Sequence, residues 1–579
     1  MPDPDTWTSP FPMRIPGIRT YALASELLGK RVPENIRTEF WKQLSLGQAL
    51  SLIAQIITDI EVHSGTSDAP ASEVDMRWAK QVANRNLRTH LEIASTFGVT
   101  LFAPQMLLLA AKEAMLHSPE GPPTDDARGV DLLVICLLGI ADDNDEGPKD
   151  TGGATWGGMD VSLASELIAN LHFNRTLWVG RQLVWFERTW FRSWPKRTKA
   201  ATTVGGEPHE LFKEATGIEL VDFAAAAFNL YAQAAGHGYV RYPDEFFATL
   251  GLPAEAVKHF LDATSCSVSE MRRLIRDDSP APKPSRFGFD AFRRFPLVRL
   301  ESGELLMLSP NFVMQRALSE TTFWDVRQYL RKVDAKREVA FHQCTKDILE
   351  YEAGAALRRI FFKKKLQVLD EGQLQKRLAA GRKSMPRMCD FAIRSGRTWL
   401  LVEVTDRAMP RPVVFASASA TALDDELDKV LTARKAEQLI STIRLLEEEK
   451  TRLRRSQSDE RFTYIPLVLT GETGLPWTLP VQHRTRERLA SLGHPEEFCS
   501  AVALITLKEL IMLENAAALG HDTIEILRSW RLDNPSLPLD QHIHLQTIPL
   551  NSPVWERNRV SAVVRSFANR MGPSGLQKN

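Results

Sequence analysis

Net charge is the first thing this chain lacks. Its 72 Lys and Arg residues are balanced by 72 Asp and Glu. Global charge therefore argues neither for nor against a polyanionic partner, and only its local distribution can. Cysteine is scarce: Cys136, Cys266, Cys344, Cys389 and Cys499 are scattered with no CxxC spacing. That excludes a disulfide framework and a cysteine-based zinc site, and fits a reducing, cytoplasmic setting. Long apolar runs are missing too. The longest, Leu132 to Ala141, is about half of what a bilayer requires, so no membrane partner is expected. The start, Met-Pro-Asp-Pro-Asp, has neither a basic nor an apolar stretch, which argues against a signal peptide. A GxxxxGKS/T loop, an HExxH pair, a GxSxG elbow and a dinucleotide-type glycine fingerprint are all absent. Those absences exclude the P-loop, zincin, α/β-hydrolase and dinucleotide-binding signatures. Among 13 histidines only His542-Ile543-His544 are closely spaced, in a proline-flanked loop that reads as incidental.

What is present is mostly helical periodicity. The length, 579 residues, suits three or four domains. Residues 1–18 are proline-rich and read as an extended arm. Leu44, Leu46, Leu50, Ile53, Ile56, Ile57 and Ile60 make the apolar stripe of one helix. Further helices are expected over Phe102 to His117, Val130 to Ile140 and Met159 to Phe173. Trp178, Trp185, Trp190 and Trp194 read as core packing. The acidic loop from Asp142 is no calcium loop, because its twelfth position is Gly153 rather than a bidentate glutamate. A second helical block spans Glu207 to Asp278. A stiff linker (Pro280 to Pro284), a hairpin between Pro296 and Leu308, and a helix over Phe312 to Lys332 follow. Toward the end, Glu496 to Leu519 reads as one apolar helix and Glu556 to Met571 as another. The expected fold class is α+β, mostly helical. Its segments are 1–200, 207–335, 336–475 and 476–579.

The stretch that stands out runs from Met388 to Thr405. Phe391 to Ile393 and Trp399 to Val404 read as two strands joined by a Ser395-Gly396 turn. Alternation puts Trp399, Leu401, Glu403 and Thr405 on one face and Leu400, Val402 and Val404 on the other. Both faces are largely apolar, so the strand is expected to be covered on both sides. A carboxylate at 403 then needs a cation. Asp390, at the head of the partner strand, is placed to converge with it. Two such carboxylates suit a hard divalent cation.

Asp390 followed at a hairpin's remove by Glu403-Val404-Thr405 resembles the core of the PD-(D/E)XK nuclease superfamily. The flanking order agrees. A helix (Glu338 to Phe361), a basic strand region (Lys363 to Leu369) and the hairpin are followed by a long helix (Leu423 to Glu448) and an apolar strand (Tyr464 to Thr470). The resemblance covers about 130 residues and implies a restriction-endonuclease-like αβββαβ domain. It implies that Asp390 and Glu403, with Glu352 from the first helix, hold Mg²⁺ or Mn²⁺. Two departures stand out: Cys389 replaces the usual proline, and Thr405 replaces the lysine. Some members take that lysine from the following helix, where Lys435, one turn from Gln438, is the first candidate and Lys429 the second.

Charge distribution adds a nucleic-acid reading. Between Arg358 and Arg387 there are ten Lys or Arg against two acids. Lys363, Lys364, Lys365, Arg382, Lys383 and Arg387 are the candidate phosphate contacts. The partner implied is nucleic acid, DNA first, with the helical half left for a protein partner or a second copy of the chain. The layout, a helical first half before a nuclease-like domain, resembles bacterial proteins of defence against foreign DNA. Two other readings compete. One keeps the fold as a non-catalytic nucleic-acid-binding scaffold, which Thr405 favours. The other is a helical protein–protein scaffold, which the zero net charge allows.

Overall fold

The computed structural model describes residues 21–66, 71–122, 128–145, 154–173, 179–195, 198–277, 287–378, 386–453, 462–548 and 554–571. Trp178, the Pro280 to Pro284 linker, Arg382, Lys383 and the loop residues 146–153 lie outside these. The fold is α+β and mostly helical. Among the described residues no helix is long and apolar enough to cross a membrane, and all five cysteines are buried and free.

Buried apolar side chains gather into three clusters that do not follow chain order. One joins the helices between Ala22 and Ile140 to residues from Val240 to Phe312. A second joins Val179 through Ala234 to the 297–348 region and to Val563 and Phe567 of the last helix. The third surrounds a sheet between residues 349 and 548, and takes in Trp156, Val161, Ala164 and Ile168 from far upstream. The expected hairpin near Pro296 is present as Leu297–Arg299 and Leu305–Met307. It is the middle of a four-stranded sheet flanked by Ser265–Ser267 and Arg241–Tyr242.

The sheet that positions the candidate site has five strands. In spatial order they are Ala503–Thr506, Thr463–Thr470, Thr398–Thr405, Phe391–Ser395 and Val368–Asp370. The central strand, Thr398–Thr405, is antiparallel to Phe391–Ser395 and parallel to Thr463–Thr470. Gly396, at φ 59°, closes the hairpin in the left-handed region that a side chain would resist. The two faces of the central strand are covered by helices, as its apolar composition requires. Helix Arg434–Leu453 packs on it, and helix Ala335–Phe362 packs on it from the strand's other neighbourhood. Leu357, Ile360 and Phe361 of the latter line one small cavity with Leu400 and Val402. Gly354 permits the close approach, because a Cβ there would lie 2.8 Å from the Phe391 ring.

Several elements differ from the sequence expectation. The helix expected over Phe312 to Lys332 is two, Pro310–Leu318 and Glu320–Val333, and His542 to His544, expected in a loop, lie in helix Leu539–Leu545. Only Val368–Asp370 of the basic segment pairs in the sheet; Lys363 to Lys365 form a turn, with Lys365 at φ 52°. The long helix expected from Leu423 is broken. Ala420–Leu427 runs into a π-helical turn, Asp428–Thr432, and a new helix starts at Arg434 after Ala433 leaves helical geometry. The apolar run from Glu496 is not one helix either. Helix Glu496–Ala501 ends at strand Ala503–Thr506, and helix Leu507–Ala518 follows with a capping box of Thr506 and Glu509. Short apolar runs do not distinguish a buried strand from a buried helix, and here the β-branched Val502, Ile505 and Thr506 decide for the strand.

Candidate functional site

The Asp390–Glu403 pair sits at the end of the central strand. Phe391 is opposite Val402, so Asp390 lies beside the last turn of the strand's pairing, one residue ahead of its own strand. The Asp390 carboxylate accepts the Val404 backbone N–H through Oδ2 at 2.6 Å, so its orientation is fixed by the ladder itself. The segment leading into it is pinned by the Lys435 helix. Thr442 Oγ1 accepts the Cys389 N–H at 2.9 Å, and Gln438 Nε2 donates to the Met388 carbonyl at 3.3 Å.

Glu403 is fully buried, on the strand face that the Lys435 helix covers. Lys435 Nζ lies 2.5 Å from Glu403 Oε1 and donates to the Val404 carbonyl at 2.8 Å. The helix thus delivers the amine that Thr405, half-buried on the strand, does not supply. Glu403 Oε2 is buried with no hydrogen-bond partner among the described residues. Burial, reinforced by the Asp390 charge, raises the Glu403 carboxyl to about 8, although Lys435 pulls it down. Burial also raises Asp390 above the usual carboxylate range, against the Val404 N–H and the Lys435 charge. Taking a carboxylate out of water outweighs one ammonium in both cases.

Glu352, expected as the third acid, is elsewhere. It is buried between Arg188 and Ser193, both of which bond its carboxylate, and it ties the helix to the first half of the chain. It falls on the buried stripe of Ile348 and Ala356. Glu350 takes the place near the pair. Its carboxyl is raised to about 7 by desolvation and by the Asp390, Asp347 and Glu371 charges, with Lys435 opposing. The residue is exposed, so this acid faces the mouth of the site rather than its floor. Asp406, just past the strand, is also raised by burial, with Lys346 opposing. Helical phase was the signal for Glu350: it flanks the apolar stripe, whereas Glu352 falls within it.

The basic residues are split. Lys363 donates to the Ala518 carbonyl at 3.1 Å, and Lys364 pairs with Asp522 at 2.8 Å. Both sit at the far end of the sheet, because Val368 pairs with Ile393 and only Asp370 reaches Phe391 beside the acids. Lys365 shares that far end. Arg387 is exposed three residues before Asp390. Lys429, the second lysine candidate, lies in the π-helical turn. Among the described residues, no group of three or more His, Cys, Asp or Glu is clustered tightly enough to hold a metal ion by itself.

No family model matches the chain, and no curated protein or solved structure does either.

Proposed function

We propose that this chain is a metal-dependent nuclease in which Asp390 and Glu403 hold Mg²⁺ or Mn²⁺ and Lys435 supplies the positive charge beside them. The observation that carries the reading is the Lys435 ammonium 2.5 Å from Glu403. The PD-(D/E)XK resemblance requires an amine at this place, and Thr405 cannot provide one. The donor set fits such an ion. Glu403 Oε2 is an orphaned oxygen, which costs about 1–3 kcal/mol if nothing takes it. Two protein carboxylates suit Mg²⁺, which keeps several of its waters, better than Ca²⁺, which takes six to eight oxygen ligands.

When bound, the cation would lower the pKa of a water and offset charge on the phosphate. The chain's own groups do the rest. The Val404 N–H holds Asp390 in place, and the Val404 carbonyl aims the Lys435 ammonium. Lys435 then stabilises the charge that develops on a phosphate oxygen. Glu350, raised to about 7, is tuned to accept a proton near neutral pH. A DNA substrate and a role in defence against foreign DNA belong to the same proposal and rest on the sequence resemblance.

The test is cleavage of plasmid and oligonucleotide substrates with Mg²⁺ or Mn²⁺. Wild type is compared with Asp390→Ala, Glu403→Ala and Lys435→Ala. Cleavage that survives all three changes refutes this site. Binding without any cleavage in the wild type favours the scaffold reading instead.

A further inference from the structure

One face of helix Ala335–Phe362 is left without a partner. Tyr351, Arg358 and Phe362 fall at i, i+7 and i+11, so they align along one side of the helix. Lys365 continues the line just past its end. Tyr351 is 60% exposed, and Phe362, at 79%, is the most exposed large apolar side chain among the described residues. Arg358 and Lys365 are exposed as well. Among the described residues, none of these four side chains has a hydrogen bond, an ion pair or a ring contact. A single exposed aromatic is ordinary on a protein surface, so it is the pattern of all four side chains that points to a ligand. Two exposed aromatics alternating with two unpaired cations is an arrangement that one polymer fits: flat bases on a phosphate backbone.

The stripe also has a direction. Tyr351 is next to Glu350, at the mouth of the acid site, and Lys365 is at the opposite end of the sheet. Asp347 and Glu350 mark the acidic end, Arg358 reaches back over Gly354 toward Phe391, and Lys365 lies farthest away. From Tyr351 to Phe362 the helix rises about 16 Å, the span of roughly five nucleotides at stacked spacing.

We propose that this face is a track for single-stranded nucleic acid that leads to the Asp390–Glu403 site. Bases stack on Tyr351 and Phe362, and phosphates meet Arg358 and Lys365. This names the substrate class for the nuclease reading and rests on it. A duplex hides its bases from both rings, so single strands are preferred.

The experiment is fluorescence anisotropy of a labelled twenty-nucleotide oligothymidylate with the full chain in EDTA, where no cleavage proceeds. Tyr351→Ala and Phe362→Ala are each expected to weaken binding at least fivefold, with Tyr351→Phe and Phe362→Tyr restoring it. Arg358→Ala with Lys365→Ala should weaken binding and flatten its salt dependence by about 1.4 in log–log slope. A duplex should bind more weakly than the single strand. All four side chains are exposed, so unchanged thermal melting is the folding control. Affinities within twofold of wild type, absence of binding, or a duplex preference overturn the track. Cleavage of the same oligonucleotide with Mn²⁺ separates the two proposals. Cleavage with aromatic-independent binding sinks the track alone, and aromatic-dependent binding without cleavage sinks the nuclease reading alone.

Discussion

At the scale of single residues, Glu403 contributes to the pH dependence, alongside Glu61 and Glu350, whose carboxyls burial also raises to about 7. The folded-state Glu403 carboxyl, near 8, lies above its ordinary value of 4.5. The folded protein therefore binds a proton that the unfolded chain releases, and the contribution of this group to stability without metal is fully present below about pH 4.5. It declines as pH rises toward 8, by at most about 1.4 kcal/mol per pH unit from this group. Urea unfolding in EDTA between pH 5 and pH 8 should show this decline, and Glu403→Gln should make it shallower. A Gln variant with the wild-type slope would mean that the carboxyl is already ionised. The same proton competes with a divalent cation, so Mn²⁺ affinity measured calorimetrically should rise over this window and release protons. Lys435→Met removes the amine while keeping most of the bulk. It is expected to lower the cleavage rate by about 10²–10³ with oligonucleotide affinity little changed. A rate within threefold of wild type would remove Lys435 from the machinery.

At the scale of elements, the spacing between helix Ala335–Phe362 and the strand after Asp390 is set by Gly354. Alanine there would gain roughly 0.5–1 kcal/mol in helix propensity. It would also press a methyl group onto the Phe391 ring, 2.8 Å away, and overpacking of that kind costs about 1–3 kcal/mol. The ring is part of a buried sheet and has little room to move, so Gly354→Ala is expected to destabilise, by urea titration, and to impair cleavage through Asp390. Unchanged stability would show that the two elements can separate freely. The elements also show what the sequence could and could not reveal. The Asp390 to Thr405 hairpin was legible because alternation, a Ser-Gly turn and two acids all agreed. Lys435 was legible as a helix residue in the right order. Glu350 was missed in favour of Glu352 because choosing between them needs the helix phase relative to the sheet end. Strand Ala503–Thr506 was missed because it is apolar throughout and short. The basic residues were read as one patch, but turn geometry at Lys365 and the pairing of Val368 carry Lys363 to Lys365 to the far end of the sheet.

At the scale of the molecule, the clusters of buried residues join distant parts of the chain. Residues 336–475 would lack strand Ala503–Thr506, which pairs with Leu467 to Thr470, and helix Leu507–Ala518, whose Leu510 and Leu513 line one cavity with Leu400, Val402 and Leu467. That fragment should bind hydrophobic dye and lack protection in hydrogen exchange, while the full chain does neither. A well-folded fragment with dispersed amide resonances would contradict the shared core.

Trp156 belongs to that same shared core, and its neighbourhood has a consequence for how the protein is made. Its indole N–H donates to Asp424 at 2.8 Å, across 268 positions of sequence. Gly157 beside it fits so tightly that a Cβ would lie 2.1 Å from the Pro480 carbonyl oxygen. On a ribosome adding roughly 5–20 residues per second, the short hairpin of Thr155–Trp156 and Met159–Asp160 waits about a quarter of a minute to a minute for its receptor to emerge. Throughout that interval a tryptophan and the apolar helix behind it have no home. The growing chain is then most open to capture by a chaperone, or by the neighbouring chain on the same message.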